Sequence, residues 1–310
     1  MTQKRRVLSI KIALIDVDNY DKVARFPNLP LMKISAYHKA RGDSVEWWMP
    51  LESYDIAYKS KVLTTTPEIT FPIMADTIIE GGTAYGNSNK LPSKIEHIMP
   101  DYSIYPQFNS AYGFLTRGCP RSCSFCLVSD KEGCKSVKVA NLSEFWCGQK
   151  HITLLDPNIL ACSEHLELLQ QLVDSKSWID FSQGLDIRLI TPENVALIKQ
   201  LKIKMLHFAW DNPREDLVPQ FVKFKEWSGI TNYRKLSVYV LTNYGSSHEE
   251  DLYRIYTLRE LGYWAYVMLY DKANAPLQTR RLQRWVNNRI IFQTVKDFAD
   301  YEKSYKKGGF

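Results

Sequence analysis

The sequence predicts an α/β chain in which a small Rossmann- or flavodoxin-like α/β domain precedes an open, partial (β/α)6 TIM-like barrel. Three observations predict it. Apolar, β-branched runs alternate with helical stripes along most of the 310 residues. The runs are followed by helix-start signals rather than hairpin turns, so the strands pair in parallel through crossovers. Six such units fall within about 160 residues, whereas a closed eight-stranded barrel takes roughly 250.

The first domain is assigned residues 1–87. LSIKIALIDV at 8–17 reads as a buried parallel strand because it is a nearly unbroken apolar run. Residues 31–40 form a helix with Leu31, Ile34, Tyr37 and His38 on one stripe, and Gly42 stands where a left-handed cap belongs. Strands are expected at 44–48, 56–62 and 76–79, the last ending in Glu80, Gly81 and Gly82. Residues 88–110 carry prolines and no sustained period, which reads as a linker.

The barrel is assigned residues 111–275, with strands at 112–116, 152–155, 179–182, 205–210, 236–241 and 264–269. Helix starts lie between them: Ser163 before the stripe Leu166, Leu169, Leu172 and Val173; Thr191 followed by Pro192; and Ser247 with Glu250 in a capping box. In such folds the chemistry sits at the C-terminal ends of the strands. Residues 276–310 form a basic helical extension.

Hydrophobic residues at 45% and charged residues at 24% suit a globular protein able to fold without staples. No apolar run approaches the roughly 20 residues that span a bilayer, and no signal peptide is recognisable, so a cytoplasmic protein is expected. The net charge of +6 belongs to the two ends: Lys4, Arg5 and Arg6, and eight basic against three acidic residues from 275 to 310. Such ends either keep a protein soluble or contact phosphates, with Trp285, Phe292 and Tyr301 available for stacking on a nucleic acid or nucleotide.

Three of the six cysteines crowd into GFLTRGCPRSCSFCLVSD at 113–130: Cys119, Cys123 and Cys126, spaced Cys-x3-Cys-x2-Cys just after the first barrel strand. Structural zinc wants four ligands, for which Cys134, Cys147 and His151 are the nearest additions. A dithiol pair leaves Cys119 idle. An iron-sulfur cluster with one iron free of protein ligands uses all three. Cys134, Cys147 and Cys162 read as ordinary thiols.

With Phe125 before the last cysteine, CPRSCSFC at the first strand of a six-unit barrel resembles the signature of the radical S-adenosylmethionine (radical SAM) superfamily, over about residues 111–270. The resemblance implies a [4Fe-4S] cluster on Cys119, Cys123 and Cys126, with S-adenosylmethionine on the fourth iron. It implies reductive cleavage to a 5′-deoxyadenosyl radical that abstracts a substrate hydrogen, and an external flavodoxin- or ferredoxin-like electron donor. Phe125 would shield the cluster and meet the adenine with its backbone. Candidate cosubstrate contacts are Asp156 and Asn158, where relatives carry Gly-Gly-Glu; Gln183, Asp186 and Arg188, the last for the carboxylate; and Asp211 and Asn243 at later strand ends, beside Trp210, Thr242, Tyr270 and Asp271.

The first domain resembles, more weakly, the cobalamin-binding domain that precedes many such barrels. Its first loop, DVDNYDK, has no histidine to ligate cobalt. The domain is therefore expected to be a degenerate scaffold, with cobalamin the lesser expectation. Methylthiotransferases and peptide-maturing subclasses, which use further cysteines before or after the motif, are not expected. The alternative function is a nucleic-acid-binding protein with a structural cluster or zinc.

Overall fold

The computed structural model describes residues 9–20, 26–86 and 90–306. Lys4, Arg5, Arg6 and the expected strand start at Leu8 lie outside them. The chain divides into two compact units, one of residues 1–113 with 140–149 and one of residues 114–139 with 150–310.

The first unit is built on a parallel four-stranded sheet. In chain order come β1 (Lys11–Asp16), α1 (Leu29–Ala40), β2 (Ser44–Trp47), β3 (Ser53–Ser60) and β4 (Met74–Gly81), and the spatial order is β2-β1-β3-β4. The apolar run of β1 makes it a strand covered on both faces. Ile12 and Leu14 pack with Leu31 and Ile34 of α1, while Ala13 and Ile15 pack with Trp48, Tyr54 and Ala57 on the other side. Asn28 caps α1 by accepting from the Leu31 N–H, and Gly42 takes φ +84° just beyond it. The segment 61–73 between β3 and β4 contains no helix. The short α2 (Ser93–Glu96) follows, and Ile95 joins the α1 core while Asp101 receives the Ser35 hydroxyl at 2.7 Å. The expected linker is thus packed structure from residue 90 onward. The unit ends on β5 (Ser110–Gly113).

In the second unit a two-stranded antiparallel clasp, β6 (Thr116–Arg117) and β7 (Val137–Lys138), encloses α3 (Val128–Glu132). Two parallel ladders follow. One has β8 (His151–Leu154) and, after α4 (His165–Ser175), β9 (Trp178–Phe181); after α5 (Pro192–Ile198) it gains β10 (Lys202–Ile203), in the order β10-β9-β8. The other has β11 (Leu206–Ala209), α6 (Val218–Ser228), β12 (Leu236–Thr242), α7 (His248–Glu260) and β13 (Trp264–Leu269), with strands in sequential order. The Leu185 N–H donates to the His207 carbonyl at 2.7 Å, linking the turn after β9 to β11.

Thr191 caps α5 ahead of Pro192 and Ser247 caps α7 in a box with Glu250, as expected; Thr191 also forms a reciprocal box with Asn194, a pairing absent from the sequence expectations. For α4 the prediction needs correction. Its first flanking residue is Glu164 rather than Ser163, and its buried stripe is Leu168, Leu169 and Leu172, with Leu166 exposed.

The basic extension folds as α8 (Leu277–Asn287), α9 (Arg289–Thr294) and α10 (Phe298–Lys306). Trp285, Phe292 and Tyr301 are at most 3% exposed, and Trp285 meets the Phe292 ring at 4.9 Å. They are core residues, not platforms for bases, because they form the apolar stripe of an amphipathic extension. Asn287 accepts from the Val267 N–H and returns its amide to the Val267 carbonyl, satisfying the edge of β13 as a neighbouring strand would. No helix of the described residues is long and apolar enough to cross a membrane.

Candidate functional site

The cysteine loop leaves β6 at Gly118 and returns at β7. Gly118 has φ +85°, and a Cβ there would lie 2.1 Å from the Lys135 carbonyl oxygen, so both backbone conformation and space demand glycine. The Cys119 N–H donates to the Gly133 carbonyl at 3.1 Å, and Glu132 accepts from Arg117 and from the Gly118 N–H. Gly118→Ala is expected to cost about 2–4 kcal/mol of local stability and to lower iron retained after reconstitution, read by denaturant unfolding and iron analysis.

Cys119, Cys123 and Cys126 are all partly exposed, and the Cys126 N–H donates to the Cys123 carbonyl at 2.9 Å. Burial raises the Cys123 thiol pKa, and the neighbouring Cys119 and Cys126 add to that against the pull of Arg121 and Arg188. Among the described residues no group of three or more His, Cys, Asp or Glu converges to hold a single metal ion. A cubane gives each thiolate its own iron and therefore takes a wider triangle. Cys134 is exposed, with the Ser122 hydroxyl 3.7 Å from its sulfur; Cys147 is exposed and Cys162 buried.

Asp156 follows β8 and is 4% exposed. Its carboxylate accepts from the Leu115 and Thr116 N–H groups and from the Thr116 hydroxyl, at 3.1, 2.5 and 2.7 Å. It therefore anchors the strand that feeds the cysteine loop, a structural engagement beside the cosubstrate contact expected of it. Burial pushes its pKa from 3.8 up to about 6. The folded chain thus holds this proton more tightly than the unfolded chain. Asp156 favours folding below pH ~4, loses that contribution as pH rises to ~6, and is flat above. A decline on the order of 2–3 kcal/mol in urea-unfolding free energy is expected across that window, and Asp156→Asn should lack it.

Asn158 is 3% exposed. Its Nδ2 lies 3.6 Å from the Cys119 sulfur and donates to Asp186 at 3.2 Å, while its Oδ1 is buried with no hydrogen-bond partner. Asp186 caps the turn Ile187–Leu189 and receives the Arg188 Nε at 2.6 Å. Arg188 continues to Glu215 at 2.6 Å, and Glu215 takes Arg121 of the cysteine loop at 2.7 Å. Cys119, Asn158, Asp186, Arg188, Glu215 and Arg121 thus form one connected network. Glu215, absent from the sequence candidates, is its hinge; its own carbonyl is held by the Trp210 indole N–H.

Phe125 meets Tyr244 edge-on at 5.4 Å, and the Tyr244 hydroxyl donates to Ser124 at 2.7 Å. Tyr244 also contacts the Tyr270 ring at 4.5 Å. Asn243, at φ +63°, supplies the left-handed turn that presents Tyr244, the second residue missed. Gln183 is exposed and outside the network. Asp211 accepts from the Leu241 N–H, and burial raises its pKa. Thr242 binds the Met268 carbonyl and Asp271 closes a turn with Asn274, while Trp210 is core. A third omission is Arg254, wholly buried on α7. It binds Asp251 at 2.5 Å and the carbonyls of Trp210, Asp211 and Leu241 at 2.7–3.0 Å, joining the ends of β11 and β12.

The first unit can be tested for a corrin cradle at its β1/β3 switch point, where open α/β sheets bind ligands. There Asp18 accepts from the Val62 and Leu63 N–H groups and the Thr66 hydroxyl, Asp16 from Tyr105 and Asn19, and Asn28 donates to Ser60. Among the described residues these polar groups bond to one another, the Asp16 Oδ1 is buried with no hydrogen-bond partner, and no histidine stands at this edge.

No protein-family model matches this chain, and no curated protein matches it. In fold it is similar to the radical S-adenosylmethionine methyltransferase TsrM from Kitasatospora setae, whose structure has cobalamin and a [4Fe-4S] cluster bound. The TM-score is 0.61 at 11% identity, covering 84% of this chain and 75% of that one. At that identity the likeness is one of fold alone.

Proposed function

We propose that this chain is a radical SAM enzyme, with Cys119, Cys123 and Cys126 holding a [4Fe-4S] cluster. The observation that carries the reading is the cysteine loop itself. Its three thiols sit on one glycine-closed turn, flanked by Arg121 and by Asn158, whose buried Oδ1 lacks a partner. When bound, the cluster would supply the electron for reductive cleavage of S-adenosylmethionine to a 5′-deoxyadenosyl radical, which abstracts hydrogen from a substrate.

The chain's own residues would bind and orient the cosubstrate. The orphan Oδ1 of Asn158 is an acceptor suited to an ammonium donor. Arg188, already paired with Asp186 and Glu215, is the cation nearest that residue in the network and suits a carboxylate. Phe125, Tyr244 and Tyr270 offer aromatic surface for an adenine and keep water from the site. The first unit is read as a scaffold. An external flavodoxin- or ferredoxin-like protein would deliver the electron. The alternative of a nucleic-acid-binding protein loses the stacking aromatics that supported it, since all three are buried.

The test is anaerobic reconstitution with iron and sulfide, then dithionite reduction with S-adenosylmethionine present. Release of 5′-deoxyadenosine and methionine is expected. A reduced, cluster-loaded protein that releases neither overturns the enzyme reading.

A further inference from the structure

Resting on that reading, we propose that Asn158 is a positioning residue that raises the reduction potential of the cluster, through an N–H···S hydrogen bond to the Cys119 thiolate. The amide nitrogen lies 3.6 Å from that sulfur. Its second N–H goes to Asp186 at 3.2 Å, so both donors of the one amide are used. The amide orientation follows from its partners. Turned over, Asn158 would set its carbonyl oxygen against a thiolate and a carboxylate, two groups that only accept.

The donor is also fixed in place. The Ser136 hydroxyl donates to the Asn158 main-chain carbonyl at 2.8 Å, and Asp186 is itself held by the Arg188 Nε and main-chain N–H. Asn158 is 3% exposed, so water does not compete effectively for its N–H. A neutral donor on a ligating sulfur withdraws electron density and stabilises the more negative, reduced state; hydrogen bonds to the sulfurs are among the determinants of such potentials. A carboxylate at the same position would do the reverse. This goes beyond cosubstrate binding, because it predicts an effect with no cosubstrate present.

The experiment is redox potentiometry of the reconstituted full chain without S-adenosylmethionine, following the reduced cluster by electron paramagnetic resonance. Asn158→Leu is expected to lower the equilibrium constant for one-electron reduction by up to about tenfold, 59 mV in the negative direction. Asn158→Asp is expected to shift it further the same way. Iron and sulfide content should match the unaltered chain, because Asn158 is not a ligand. An unchanged or more positive potential in either variant, or loss of the cluster from both, overturns the proposal. Absence of a cluster in the unaltered chain would instead overturn the enzyme reading beneath it.

Discussion

Cys119→Ala, Cys123→Ala and Cys126→Ala are each expected to abolish the [4Fe-4S] cluster and, with it, all S-adenosylmethionine cleavage. Each thiolate would hold a different iron, so losing one exposes a second iron on the cube and leaves it without a protein anchor at that corner. The visible absorption and the electron paramagnetic resonance signal of the reconstituted chain should fall to those of a cluster-free protein, and 5′-deoxyadenosine release to background. Cys134→Ala and Cys147→Ala alter exposed thiols and should leave both readouts intact. Cys162→Ala, at a residue 1% exposed, should cost about 1 kcal/mol of stability through lost packing while the cluster remains. A cluster that survives removal of Cys123 but disappears with Cys134 would reassign the ligands.

Arg254→Met is expected to destabilise the second unit by about 3–5 kcal/mol, a large share of a domain's net stability. The guanidinium is fully buried and binds Asp251 together with the carbonyls of Trp210, Asp211 and Leu241. Burial lowers the Arg254 pKa and raises that of Asp251, so the Asp251 carboxylate depends on the guanidinium beside it to remain charged. Methionine keeps much of the length but strands a buried carboxylate and three carbonyl oxygens. Urea unfolding should show the loss, and Asp251→Asn combined with Arg254→Met should recover part of it by removing the orphaned charge. Single and double variants of equal stability would show that the carboxylate is not the cause. The turn carrying Asn243 and Tyr244 follows β12 directly, so a loosened β11/β12 junction should also reduce cosubstrate binding.

Much of the fold was legible because its signals are local. The apolar run of β1, the caps at Thr191 and Ser247, and the apolar runs of β11, β12 and β13 each follow from neighbours in sequence. The failures also have local causes. Leu166 fits the helical spacing of Leu169, Leu172 and Val173, but the packing of α4 buries Leu168, Leu169 and Leu172 instead. Residues 90–104 lack periodicity and so read as a linker, yet Ile95 and Asp101 bind them to α1. The aromatic residues of a basic tail are compatible with stacking on bases or with burial, and charge alone does not distinguish the two.

By itself the sequence determined the chemistry available: three closely spaced thiols, a glycine at their threshold, and alternating strands and helices. Spacing of a few residues acts through local backbone geometry, which is why these features needed no coordinates. Only the tertiary structure decided how the polar candidates are used. Asp156 faces the backbone of Leu115 and Thr116, Asn158 faces Cys119, and Glu215, Tyr244 and Arg254 enter as their partners. Arg121 and Glu215 are 94 residues apart and Tyr244 and Ser124 120 apart, joined because the second unit folds the loop after β6 against the turns that follow β11 and β12. Which charge meets which is settled by that convergence and by the cost of burying a polar group alone, neither of which has a local signature.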